Sequence, residues 1–190
     1  MRFLLLVLSL CLSTSAIANW QVDNDKSTLN FTSVKKNSIG EIHSFKQVSG
    51  MVSKAGAVKF AIDLTSVVTG IDIRDQRMKS FLFETDKFAT ATFAGQVDGK
   101  VLNTLAVGQE KTLTLQGEIS LHGQTQQISI PVKVAKLTGG DLSVHNIKPL
   151  VIQAKQYALT KGLMKLQELA SLPSISPVVP VHFSLHLTKS

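Results

Sequence analysis

Five histidines, His43, His122, His145, His182 and His186, are the side chains of this sequence with the widest chemical reach, as metal ligands or as acid–base groups near neutral pH. His182 and His186 stand four apart, the spacing that chelates zinc from one face of a helix. Their segment, however, alternates Val179, Val181, Phe183, Leu185 and Leu187 with polar residues. That is the period of a strand, in which four residues span about 13 Å, too far for one ion to bind both rings directly. Both are expected on a solvated face. His122 falls in the turn Leu121-His122-Gly123, and His43 and His145 have no partner nearby in sequence. Charge concentrates again at Asp72, Arg74, Asp75 and Arg77. Two readings of this group stay open: a charged cluster at the mouth of a cavity, with Arg74 and Asp75 meeting a head group, or helix capping with local ion pairs worth roughly a few tenths of a kcal/mol each. No Gly-rich phosphate loop, Gly-x-Ser-x-Gly elbow or Cys-x-x-Cys pair occurs, so the residues indicate no reaction class and the chain reads as a non-enzyme. Nothing calls for a catalytic cofactor or a metal.

The elements that would carry these side chains begin after a targeting segment. Arg2 precedes the apolar run Phe3 to Leu12, which is too short to span a bilayer, and Ala16-Ile17-Ala18 supplies a small-x-small cleavage pattern. Residues 1–18 therefore read as a removable signal peptide and 19–190 as one exported domain. Leu10 before Cys11 does not suit lipoprotein processing, so the single cysteine leaves with the signal and the mature chain has no disulfide. Removing 18 of 190 residues leaves 172, with 19 basic against 13 acidic side chains. The positive charge is dispersed and does not interleave with aromatic residues, which argues against nucleic acid as a partner and leaves contact with an anionic membrane surface open. The oligomeric state is open too, a homodimer included. Asn30-Phe31-Thr32 matches a glycosylation sequon but is too short a match to carry weight.

Alternation of apolar and polar residues dominates the mature chain. Val58, Phe60, Ile62 and Leu64 share one face of a strand. Leu113, Leu115, Gly117, Ile119 and Leu121 do the same, and after a turn at Gly123-Gln124 so do Ile128, Ile130, Val132 and Val134, which predicts a long hairpin. Shorter strands are expected at 20–23, 27–34, 40–48, 91–98 and 150–154, about nine in all with 179–187. Two stretches depart from the period of two. Arg74 to Phe83, after a possible Asp72 cap, spaces Met78, Phe81 and Leu82 as a short helix, and Leu159 to Leu172 puts Leu159, Leu163, Leu166 and Ala170 on one face, weakened by Gly162. Ser171 to Pro180 holds three prolines and reads as an extended loop. So many antiparallel strands must pack face to face or close into a barrel whose interior is either filled or open to one small ligand. The inward positions Phe31, Phe60, Ile62, Phe93, Leu113, Leu115, Phe183 and Leu185 suit both a packed core and a lipid slot.

Trp20-x-Val22-Asp23, Ser27, Leu29-x-Phe31, Phe45, Val48-Ser49-Gly50 and Ser66-Val67-Val68-Thr69-Gly70 with Arg74-Asp75 resemble, in this order, the YceI-like family of bacterial periplasmic proteins. The likeness continues through Leu82-Phe83, Lys87-Phe88-Ala89-x-Ala91-x-Phe93 and the segment Leu115-x-Gly117 to Leu121-His122-Gly123, ending near Pro131-Val132. The resemblance implies a mainly β, extended antiparallel lipocalin-like barrel with one or two short helices. It also implies a periplasmic, non-catalytic protein holding a polyisoprenoid, an isoprenoid quinone or another long-chain lipid. Phe45, Leu64, Met78, Leu82 and Phe83 then join the apolar lining, the last three, on the short helix beside Gly70, as a lid that can move. In the last third, Gln156 to Leu172 stands where the commoner pattern has an Asp-Phe-Gly-like segment. A filled β module acting through protein contacts is the competing expectation.

Overall fold

The computed structural model describes residues 18–190. The expected signal peptide lies outside the described residues, save for Ala18, at which the first strand starts. Eleven strands follow: β1 (Ala18–Lys35), β2 (Ile39–Phe45), β3 (Val48–Ser53), β4 (Ala57–Asp63), β5 (Val67–Val68), β6 (Thr90–Gln96), β7 (Glu110–Leu121), β8 (Gln124–Lys136), β9 (Leu142–Asn146), β10 (Leu150–Gln153) and β11 (Val178–Lys189). The order β1-β3-β4-β6-β7-β8-β9-β11 is closed by antiparallel pairing of β11 with β1, giving an eight-stranded barrel. The long strands β1 and β11 outrun it: β1 passes from β3 to β2, and β11 from β9 to β10.

The expected strands at 20–23 and 27–34 are one strand. The polar run between them is a bulge, since Asp23 faces His186 while Thr28 faces Ser184. Asn24 uses the bulge to span the gap between two neighbours, donating to the Lys46 carbonyl at 2.9 Å and accepting from Val48 N–H at 2.8 Å. The expected strand 40–48 is correspondingly two, β2 and β3. β9 escaped the pattern because its third inward residue is Asn146. This buried amide donates to the carbonyls of Lys148 and Val181 and accepts from Phe183 N–H, so its polarity is fully used. The loop expected up to Pro180 is shorter: β11 already starts at Val178, and Pro180 pairs with Val151.

Three α-helices complete the chain, α1 (Asp72–Arg77), α2 (Gly99–Thr104) and α3 (Thr160–Leu169). Asp72 is the first residue of α1 and not its cap, which is Ile71 with no side-chain hydrogen bond. After Arg77 the helix widens into a π-helical turn, Met78–Phe83. The i→i+5 winding returns Phe83 to the side of Met78, so Met78, Leu82 and Phe83 are all buried, whereas regular α-winding would swing Phe83 away. α3 replaces the expected helix 159–172, and Ala170 is exposed instead of sharing its buried face.

The buried side chains form two clusters. One fills the barrel end around Trp20, Val58, Leu102, Leu142 and Leu187. The other lies under α1, the π-turn and α3, around Leu64, Val67, Met78, Leu82, Tyr157 and Leu159.

Candidate functional site

Between the two clusters the barrel holds a cavity of about 200 Å³ whose lining is apolar apart from Thr92. Phe31, Phe45, Phe60, Ile62 and Leu64 face it from β1, β2, β4 and the turn after β4. Leu82 and Phe83 face it from the π-turn, Phe93 and Leu115 from β6 and β7, and Phe183 and Leu185 from β11. Two expected lining residues lie elsewhere. Met78 is buried against the second cluster and does not reach the cavity, and Leu113 packs on the far, filled end. Ile119, Leu121, Ile130 and Val181 also line the wall, in the same alternation as their expected neighbours, so period-two counting along β7, β8 and β11 would have found them. Ile152 lies in the expected strand 150–154, and Leu159 and Leu163 on the expected helical face, but only the docking of β10 and α3 turns them inward.

Phe60 and Phe93 mark the inner end. Phe93 belongs to the filled cluster and Phe60 packs against it, and both also face the cavity. Their rings lie 6.4 Å apart and nearly parallel. Each ring rests on glycine: a Cβ on Gly50 would come within 2.1 Å of the Phe60 ring, and one on Gly95 within 2.5 Å of Phe93. The missing side chains let the rings sit into the barrel wall and keep the lumen open at this level.

At the other end the wall turns polar in steps. On β2 the inward residues run Phe45, His43, Glu41, opposite Leu29, Phe31 and Ser33 of β1. The His43 ring is 5.2 Å from that of Phe31, and its Nε2 meets Ser33 Oγ at 2.8 Å. Burial, reinforced by the positive charge of Arg74, lowers the His43 pKa and keeps the ring neutral. Glu41 accepts from Arg74 at 2.8 Å and pairs with Lys35 at 3.0 Å; the Lys35 hydrogen bond and then the Arg74 charge hold its carboxyl below the usual range against the effect of burial. Arg74 also donates to the Thr69 carbonyl, and Asp75 accepts from Thr69 N–H at 2.8 Å. Arg74 and Asp75 thus fasten α1 to β2 and to the loop after β5, and neither lines the cavity. His43 Nδ1 and Arg74 Nε are buried without a hydrogen-bond partner among the described residues.

Two further histidines meet carboxylates, which their sequence neighbours did not foretell. His122, at φ +50° in the β7–β8 turn, has Nε2 3.0 Å from Glu84 and its ring 4.5 Å from Phe88. This joins the end of the π-turn to the hairpin. His186 meets Asp141 at 3.1 Å instead of standing free on a solvated face. Among the described residues no three or more of His, Cys, Asp and Glu gather where a metal ion would sit. Ser33–His43 is the pair closest to a nucleophile and base, but His43 Nδ1 lacks the acceptor that would hold an imidazolium.

An eight-stranded antiparallel barrel around an apolar cavity, closed at one side by helices, belongs to the class of small barrels whose interior has room for one small apolar ligand. A family model described as a YceI-like domain matches residues 20–187, and the chain belongs to this family. A polyisoprenoid binding domain from Saccharophagus degradans, implicated in plant cell wall breakdown, is 39% identical, with a TM-score of 0.89, 91% of this chain and 99% of that one being covered. BcnA of Burkholderia cenocepacia (19% identity, TM-score 0.68, covering 87% and 98%) and the YCEI protein of Campylobacter jejuni (15%, 0.56, 78% and 85%) share the fold. A comparison with curated proteins found no match.

Proposed function

We propose that the chain is a non-catalytic periplasmic carrier that binds a polyisoprenoid, an isoprenoid quinone or a similar long-chain lipid inside the barrel. The observation that carries this reading is the apolar cavity between two packed clusters, bounded at one end by Phe60 and Phe93 and adjoining the polar group of His43, Glu41 and Arg74 at the other. The polyisoprenoid binding domain, the 39% identical neighbour, supports the cargo class, and the signal-peptide pattern of residues 1–18 supports export. Each buried isoprene unit contributes up to ~4 kcal/mol before entropy losses, so a few units suffice for useful affinity. The cavity exceeds the ~150 Å³ that seats a benzene ring, and a chain of several units requires Leu82, Phe83 and Leu163 to move outward with the helices that carry them. A polar head would find His43 Nδ1 and Arg74 Nε among the buried atoms without partners.

The test is native mass spectrometry of the mature protein purified from the periplasm of its own host without detergent, followed by organic extraction. A stoichiometric isoprenoid names the cargo. An empty protein that also ignores added isoprenoids would reject the carrier reading in favour of a module acting through protein contacts.

A further inference from the structure

The helical cap is apolar on its inner side and carries large apolar side chains among the polar ones of its outer side. Leu82 and Phe83 of the π-turn point into the cavity, while Phe81 just before them is 42% exposed. In α3, Leu163 faces the cavity and the next residue, Met164, is 66% exposed. Ile73 on α1 adds a third exposed apolar side chain at 52%. The two helical segments are held together as one surface: Arg77 donates to the Leu169 carbonyl at 3.1 Å, and Gly162 abuts the Phe81 backbone.

The charges around this surface are mainly positive. Residues 71–83 and 154–172 hold six basic side chains, Arg74, Arg77, Lys79, Lys155, Lys161 and Lys165, against Asp72, Asp75 and Glu168. Two of the acidic groups are engaged locally, Asp75 with Thr69 and Glu168 with Lys165 at 2.7 Å, and of the basic ones Arg74 is also paired, with Glu41. Lys155 and Lys161 are exposed and make no ion pair among the described residues. A second copy of the chain on this face would oppose like charges. An anionic bilayer complements it, with lysines at the headgroups and apolar side chains dipping between them.

We infer that the outer face of the α1–π-turn–α3 cap, with Phe81 and Met164 as anchors and Lys161 and Lys165 beside them, docks the protein on anionic lipid surfaces. The inference builds on the carrier reading, because the docked elements are the ones that cover the cavity and would be loosened where cargo is exchanged.

The experiment is flotation of the mature protein with vesicles of phosphatidylglycerol and phosphatidylethanolamine, and separately of phosphatidylcholine, all free of isoprenoids. Binding to the anionic vesicles is expected, weakening with salt. Phe81→Ser with Met164→Ser should lower the partition about tenfold or more; Met164→Ser alone, at a residue 66% exposed, should lower it with little change in Tm, and Lys161→Glu should act in the same direction. Equal retention on both vesicle types, no retention, or an unchanged partition in the double variant would overturn the inference. So would a wild-type dimer that the double variant converts to monomer while vesicles go unbound, which would assign the face to a second copy. Because the vesicles carry no isoprenoid, failure here leaves the carrier reading standing if the purified protein still holds its cargo.

Discussion

Gly162 of α3 lies so close to the carbonyl oxygen of Phe81 that a Cβ would come within 2.2 Å of it. In sequence this glycine reads as a weakness of the helix; in the fold it is what lets α3 settle on the π-turn and the cap close over the cavity. Gly162→Ala must push the two backbones apart, at about 1–3 kcal/mol for overpacking. For a domain of this size that is a fall in Tm of roughly 2–12 °C, read from a thermal melt. A variant that melts within a degree of the wild type would show that the cap does not depend on this contact.

Phe60 and Phe93 end the cavity, so they should set the length of chain that it accepts. Phe60→Ala should extend the space toward the filled cluster and shift preference to longer isoprenoids, while Gly95→Ala should drive the Phe93 ring into the lumen and weaken binding of every length. Native mass spectrometry with a graded series of isoprenoid alcohols reads both effects. Unchanged length preference in Phe60→Ala would place the limit elsewhere. Phe93→Ala is the less useful variant because it also opens the packed core, at about 3–5 kcal/mol.

Trp20 is the chain's one tryptophan, 2% exposed in the filled cluster and absent from the cavity lining. Its indole N–H donates to the Gly140 carbonyl at 2.9 Å, and the Lys136 ammonium stands 4.9 Å from the ring centre. Its fluorescence should be blue-shifted and should not change when lipid is added, although binding is detected by mass. A spectral shift on loading would mean that cargo penetrates the filled end. Trp20→Phe leaves the Gly140 carbonyl without its donor and should cost about 1–3 kcal/mol in denaturant melts.

His43 makes stability depend on pH in a defined sense. Its folded pKa is lowered from the ordinary 6.5 by burial and then by Arg74, so the unfolded chain binds the proton more readily. The stability contributed by the neutral ring is present above 6.5 and is lost as pH falls from there through the folded pKa. His43→Gln, neutral throughout, should flatten this part of a stability–pH curve while retaining a polar contact for Ser33. Losses at still lower pH belong to Asp23, Glu41, Glu84 and Asp141, whose carboxyls are all held below their usual range by their partners. An identical slope just below pH 6.5 in His43→Gln and wild type would assign it to other groups.

Alternation of apolar residues was enough to read the antiparallel β class, the long β7–β8 hairpin, the final strand and most wall residues, because period two is a local property of a half-buried strand. The ordered motifs from Trp20 to Val132 were enough to read the family. Where strands changed partners, local reading failed. The run Asn24-Asp25-Lys26-Ser27 looks like a loop and is a bulge inside β1, since Asn24 is satisfied by Val48 of β3 and Ser27 by His186 of β11, strands adjacent only in the fold. The same holds for Asn146, whose amide serves two backbone groups of β11 besides the nearby Lys148 carbonyl. Whether the barrel was filled or hollow also lay beyond the pattern, because an inward phenylalanine looks the same in a core and in a cavity wall. The difference comes from long-range placement: glycines 50 and 95 beneath Phe60 and Phe93, and a helical cap whose inward leucines complete the wall only when α3 meets the π-turn.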